Sequence, residues 1–249
     1  DSMTDPFTDL EINCRSQLSI LESCRYNNPD VKVIFASTRQ IYGVADYLPV
    51  DERHLLHPTD VNGINKMAGE WYHIVYNNVY GIRATSLRLT NTFGPRMRVC
   101  DARQTFLGYW FRIVLEGGEL CIYGDGRQVR DFTYVDDAVD ALLRAAVDDQ
   151  ANGEVYNLGA DEPINLLNLA QLLVRLAGSG SCRLVPWPSD RKRIDIGDYY
   201  GDYRKIRSKL GWCPRVSLEE GLRRTLDYYR QYGDHYWNEC PGPPGRAVT

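Results

Sequence analysis

Two hydrophobic periods alternate along this chain, and each change of period marks an element. Leu10, Ile12, Leu18 and Leu21 recur among polar residues behind Pro6, which predicts a helix over 5–27. Asn27-Asn28-Pro29-Asp30 turns the chain. The run Val31-Lys32-Val33-Ile34-Phe35-Ala36 predicts a buried strand, followed by a polar loop to Pro58-Thr59-Asp60. A second helix spans about 60–78, capped by Thr59 or Asp60 and carrying apolar Met67, Trp71, Ile74 and Val75. Residues 82–90 form a second strand, and a helix over about 102–116 stops at Gly117-Gly118. A short strand at 120–123 meets the turn Gly124-Asp125-Gly126. Residues 131–135 are strand-like, a helix runs to about 147, and 155–159 is a third core strand. Asn165 caps a helix through Ala177, Gly178-Ser179-Gly180-Ser181 is a turn, and 202–210 and 217–232 are further helices. The tail 241–249 is expected to be flexible.

Strands alternating with helices predict an α/β fold with a parallel sheet. A length of 249 residues allows one large domain or two small ones, and 43% hydrophobic with 25% charged residues is ordinary for a soluble globular protein. A net charge of −4 gives no sign of nucleic acid or an anionic membrane as partner. Seven cysteines without a C-x-x-C pair suggest reduced thiols and a cytoplasmic protein, not a disulfide framework or a zinc site. No apolar run approaches the roughly 18 residues of a membrane span, and no signal-peptide pattern is visible.

The chemistry concentrates between Ser37 and Lys66. Thr38 ends the first strand, and Asn62, Lys66 and Glu70 lie at i, i+4 and i+8 on one face of the next helix. This arrangement resembles the extended short-chain dehydrogenase/reductase family, in its nucleotide-sugar epimerase and dehydratase branch. There a Ser/Thr at a strand end faces a Tyr-x-x-x-Lys pair. Thr38 matches the hydroxyl residue and Lys66 the lysine, but Asn62 stands where the family has its catalytic tyrosine.

The resemblance implies that Thr38, Asn62 and Lys66 occupy catalytic positions and that Lys66 also holds the nicotinamide ribose of NAD. Asn62 cannot gain or lose a proton, although it can hydrogen-bond a sugar oxygen. The acid/base must then come from elsewhere, or the reaction is lost. Lys66 could serve if burial lowers its pKa, and Tyr42 and Tyr72 are nearby phenols. The positions after Thr38 are Asp-Glu in the family's dehydratases, and its decarboxylases usually carry Glu at the second. Here they are Arg39 and Gln40, which favours epimerase-like chemistry unless both are simply loop residues.

Two longer stretches carry more of the likeness. Arg88-Leu89-Thr90-Asn91-Thr92-Phe93-Gly94-Pro95 resembles R-x-x-N-x-x-G-P, whose Asn contacts the sugar-nucleotide diphosphate. Tyr123 through Phe132 resembles Y-G-D-G-x-Q-x-R-D-F, with Arg130 matching the arginine that grips the diphosphate. A planar guanidinium bonds phosphate oxygens in pairs, which suits that task. Arg193 falls near the family's second diphosphate arginine, and Asn13 and Asn157 also fall on family positions.

No G-x-x-G-x-x-G turn follows a strand in this sequence, although the family holds its dinucleotide there. The likeness starts about five segments into the Rossmann half, on the order of 75 residues late. The chain is thus expected to be a fragment: the C-terminal portion of a Rossmann-type parallel sheet plus a smaller α/β substrate-binding domain. The first comprises 1–91 with 131–160, the second 92–130 with 161–240. NAD is the expected cofactor of the whole protein, and tight NAD binding is not expected of these residues alone. No metal site is expected. The partners implied are a nucleotide sugar and a second copy of the chain.

The first reading is an NAD-dependent epimerase-like protein acting on an NDP-hexose. The second is an impaired relative that binds a nucleotide sugar or a protein. A third, dehydratase or decarboxylase, is disfavoured by Arg39 and Gln40. An unpaired outer edge is expected along 31–36, because the strand that precedes it in the family is missing.

Overall fold

The computed structural model describes residues 2–100 and 105–237. The first difference from expectation lies in the N-terminal helix. Instead of one run over 5–27, α1 (Pro6–Leu10), capped by Asp5, passes through a π turn at Glu11–Arg15 into α2 (Ser16–Asn27). One extra residue in a turn barely changes the apolar spacing, so periodicity does not reveal it. The widened turn lies against the next helix at Gly69, where a Cβ would meet the Asn13 carbonyl oxygen at 2.9 Å and the Phe35 ring at 3.0 Å.

β1 (Lys32–Thr38) leads through the loop into α3 (Val61–Tyr80), which returns the chain to β2 (Arg83–Leu89). The chain continues through β3 (Asn91–Phe93), α4 (Phe106–Leu115), β4 (Glu119–Tyr123), β5 (Val129–Arg130) and β6 (Phe132–Tyr134). Then come α5 (Val135–Val147), β7 (Val155–Asn157), β8 (Ile164–Asn165) and α6 (Leu166–Ala177). β9 (Ser181–Val185), α7 (Ser189–Arg193), α8 (Arg204–Leu210), α9 (Leu218–Tyr232) and α10 (Asp234–Trp237) complete it. The start of the 102–116 helix and the 241–249 tail lie partly or wholly outside the described residues.

β1, β2 and β7 form a parallel sheet with β2 in the middle, in register from Lys32 opposite Arg83 to Thr38 opposite Leu89. β2 is buried from Ala84 to Arg88, as a strand covered on both faces must be. β3 pairs with β6 and β4 with β9 in parallel, while β5 and β8 are antiparallel. β9 and α7 lie between the turn at 178–181 and the helix at 202–210, where the sequence reading assigned no element. Ser-Cys-Arg-Leu-Val alternates over only four residues, too short a signal to separate from a loop, and the strand stays largely exposed. The outer edge of β1 has no partner among the described residues, and Ala36 is exposed there.

Apolar burial gathers in two main places. Ala138, Ala141 and Ala145 of α5 meet Leu87, Tyr156, Ile206 and Trp212 around the sheet. Residues 203–212, grouped by sequence with the second part, therefore pack on the sheet. The larger cluster joins Trp110 and Phe111 of α4 to Leu169 and Leu173 of α6 and Leu222 and Tyr229 of α9. A smaller one, Ile41, Tyr42, Val50, Ile196 and Tyr199, underlies the strand ends where the candidate site lies.

Candidate functional site

The site begins where β1 ends. Thr38 caps a tight turn over Arg39–Tyr42, its hydroxyl accepting the Gln40 N–H at 3.2 Å. Gly43 leaves that turn at φ 68°, with a Cβ position only 1.9 Å from the His57 carbonyl oxygen, so only glycine fits. Gln40 donates to Asp60 at 3.1 Å, and Asp60 caps α3 through the Gly63 N–H at 2.7 Å. Thr38 and the first turns of α3 are thereby held together.

The three residues on one face of α3 meet different partners. Asn62 donates to Asp9 at 3.0 Å, and buried Asn65 donates to the same carboxylate at 2.8 Å. Lys66 donates to the Ala36 carbonyl of β1 at 3.0 Å. Burial lowers its pKa, and the Asp9 charge works against that shift. Glu70 is fully buried and takes Arg88 of β2 in a forked pair, with contacts of 2.6 to 3.2 Å. The remaining Arg88 nitrogen donates to Tyr42 at 2.6 Å, and Tyr42 donates to Asn157 at 2.6 Å. Burial pushes the Tyr42 hydroxyl up to about 12. Tyr42 is thus a committed structural phenol, and Tyr72 packs against the Leu21, Tyr76 and Ile82 cluster.

A second group of polar residues lies at the ends of β3, β5 and β6. Asn91 donates to the Asp131 carbonyl at 2.9 Å and accepts from Arg39 at 3.3 Å. The Arg39 guanidinium lies 5.2 Å from the Tyr199 ring centre. Arg130 is buried, donating to the Gly197 carbonyl and, at 3.2 Å, to Asp195. Its own burial, then the nearby Arg39 charge, pulls its pKa down to about 10. Asp131 accepts from Thr90 and from the Gly201 N–H, and burial pushes its carboxyl up to about 6. Arg193 stands apart, exposed at the end of α7, with no hydrogen bond or ion pair among the described residues. Asp195, two residues on, is what reaches Arg130.

The structure thus joins Asn91 and Arg130 through Arg39 and Asp131, and Thr38 through the turn. Asp9, Asp195 and Tyr199 were not found from sequence. Asp9 belongs to an unremarkable helix start, and the other two follow α7 in a stretch without regular periodicity. Among the described residues no group of three or more His, Cys, Asp or Glu side chains is arranged for a metal.

Comparison with known proteins gives the family. The model of the NAD dependent epimerase/dehydratase family matches residues 1–159. The chain belongs to that family. Its similarity extends to a putative UDP-glucose 4-epimerase of Methanocaldococcus jannaschii, 32% identical over 92% of this chain and 73% of that protein. UDP-glucuronic acid decarboxylase 1 of Xenopus tropicalis is 31% identical over 95% of this chain, which spans 55% of its length. Among solved structures, the UDP-glucose 4-epimerase of Thermotoga maritima with UDP-glucose matches with a TM-score of 0.83 at 33% identity. That match covers 92% of this chain and 73% of the solved one. Family members thus include epimerases and a decarboxylase, and this chain is epimerase-like at family level.

Proposed function

We propose that this protein binds a nucleoside-diphosphate hexose at the ends of β1, β3 and β5 and, with NAD, interconverts hexose epimers. The observation that carries the reading is the meeting of Thr38, Asn91 and Arg130 at one set of strand ends. Arg130 is the diphosphate arginine, able to exchange its Asp195 contact for phosphate oxygens, which its planar fork suits. Asn91 steadies that end of the site, and exposed Arg193 is the second candidate for the diphosphate. Thr38 offers a hydroxyl to the sugar. The names of the relatives support UDP-glucose as a first substrate to try.

The residues at the end of β1 fit the nicotinamide half of NAD. Lys66 makes one hydrogen bond among the described residues, which leaves two N–H groups for the ribose. NAD would supply a hydride acceptor that returns the hydride to the sugar. Oxidation of the sugar hydroxyl also releases a proton, which Asn62 cannot take; Lys66, its pKa lowered by burial, is the candidate to hold and return it while the other residues bind and orient the sugar. Arg39 and Gln40 offer no carboxylate, which weighs against dehydration or decarboxylation. Cys14, Cys24, Cys121, Cys182 and Cys213 are free thiols, but Cys100 is disulfide-bonded, against the expectation of reduced thiols throughout; no helix among the described residues is long and apolar enough to cross a membrane. A homodimer through α3 belongs to the same reading. Ile64, Trp71, Val75 and Val79 form an exposed apolar stripe there, suited to a second copy and testable by light scattering.

One observation favours a second reading, a nucleotide-sugar binder without turnover: the Asn62 amide is already given to Asp9. NMR of the full-length protein with NAD and UDP-, GDP-, dTDP- and CDP-sugars separates the two. New anomeric signals support the epimerase. Binding without new signals, followed by turnover in Asn62→Tyr, supports the binder. No binding of any sugar overturns both.

A further inference from the structure

We infer that Arg39 is a second anion-binding residue of this site, holding a negatively charged oxygen of the substrate: a carboxylate on the sugar or an oxygen of the diphosphate. The inference deepens the nucleotide-sugar reading and rests on it. Its basis is an unfilled donor. Arg39 Nη2 reaches Asn91 at 3.3 Å, a long bond, and the guanidinium carbon lies 5.2 Å from the Tyr199 ring centre. Nη1 is buried and has no hydrogen-bond partner. No carboxylate forms an ion pair with Arg39 among the described residues: Asp131, Asp60 and Asp195 favour its charge only from a distance, and Asp195 pairs with Arg130 instead.

A buried guanidinium with an empty donor is costly, and proteins keep such groups where a ligand or ordered solvent completes them. The surroundings narrow the choice to an anion. Arg39 and Arg130 come from different strand ends, and the Arg39 charge disfavours charge on Arg130. An anionic oxygen placed between them relieves both. A neutral hydroxyl satisfies the donor but leaves the repulsion. Arg39 directly follows Thr38, the sugar-facing hydroxyl of the proposed function, and Arg130 lies at the diphosphate end. A sugar carboxylate and a phosphate oxygen are therefore the two sources of the same chemistry.

The test titrates UDP, UDP-glucose and UDP-glucuronic acid calorimetrically into the wild-type chain, Arg39→Gln and Arg39→Lys. Loss of a charge-assisted hydrogen bond predicts about 10- to 100-fold weaker binding in Arg39→Gln. Equal weakening of all three ligands assigns the diphosphate. Weakening of UDP-glucuronic acid alone, with partial recovery in Arg39→Lys, assigns a sugar carboxylate. Affinities within about twofold of wild type for every ligand would overturn the inference.

A ligand-free arm decides the matter even if no nucleotide sugar binds, an outcome that counts against the proposed function. Removing an incompletely bonded buried cation predicts that Arg39→Gln melts at or above the wild-type temperature. A fall of more than about 4 °C would make Arg39 a fold-holding residue and overturn the inference, whatever happens to binding.

Discussion

Arg88 and Arg39 sit near the same end of the sheet, and the fold treats them in opposite ways. Arg88 has its guanidinium forked onto Glu70 and its remaining nitrogen on Tyr42. Burial opposes its charge, but the Glu70 contacts overcome that and hold its pKa above the usual arginine value. Arg39 has one long bond, an aromatic neighbour and an orphaned nitrogen, and burial pulls its pKa down. The first arginine ties α3, β2 and β7 together through Tyr42 and Asn157. The second waits on something outside the chain. What separates these two arginines is the completeness of their hydrogen bonding.

The comparison breaks most visibly at Arg88. Arg88→Ala leaves Glu70 charged and buried without its partner, which should cost about 3–5 kcal/mol in urea unfolding. A loss below about 1 kcal/mol would mean that the network does not hold the fold.

Asp131 sharpens the contrast through pH. Its folded pKa of about 6 lies above the ordinary aspartate value near 4. As pH rises from about 4 to about 6, the unfolded chain releases this proton first, so the native state binds more protons and stability falls. The two-unit difference corresponds to about 3 kcal/mol, present at low pH and lost by about pH 7. Unfolding measured at both pH values should show that decline in the wild type and a smaller one in Asp131→Asn.

Arg130→Ala should leave unfolding nearer the wild type than Arg88→Ala does, and should weaken nucleotide-sugar binding by about 1.5–3 kcal/mol. The weakening should be equal for different sugars on one nucleotide, because the diphosphate is common to them. Calorimetry showing a loss confined to one sugar would move Arg130 to the hexose.

Smallest is the effect at Asn62. Asn62→Ala removes one half-buried hydrogen bond to Asp9, while Asn65 keeps its own, so about 1 kcal/mol of stability is at stake. A much larger loss in thermal unfolding would make the Asp9 cradle a pillar of the fold.

β1 was legible as a largely apolar run between turn residues, whereas β2 buries Thr85, Ser86 and Arg88 among its apolar residues and shows no such run. β9 was not legible, because a short, largely exposed strand needs no sustained apolar period. The spacing of Asn62, Lys66 and Glu70 was visible, but their separate partners were not: Asp9 lies 53 residues before Asn62, and Ala36 30 before Lys66. Arg88 was read as part of a substrate motif, whereas the structure gives it to Glu70. Arg39 entered as a missing carboxylate. Its orphaned nitrogen depends on residues 91 and 199, which no local pattern connects to it.

Hydrogen exchange with and without saturating UDP-glucose tests the account most directly, because it locates the ligand without relying on a variant. The account predicts slower exchange at 38–42, 129–131 and 195–201, the segments around Thr38, Arg39, Arg130, Asp195 and Tyr199, with little change at 70–76 of α3. Binding that leaves those three segments unchanged, and slows exchange elsewhere, would contradict it.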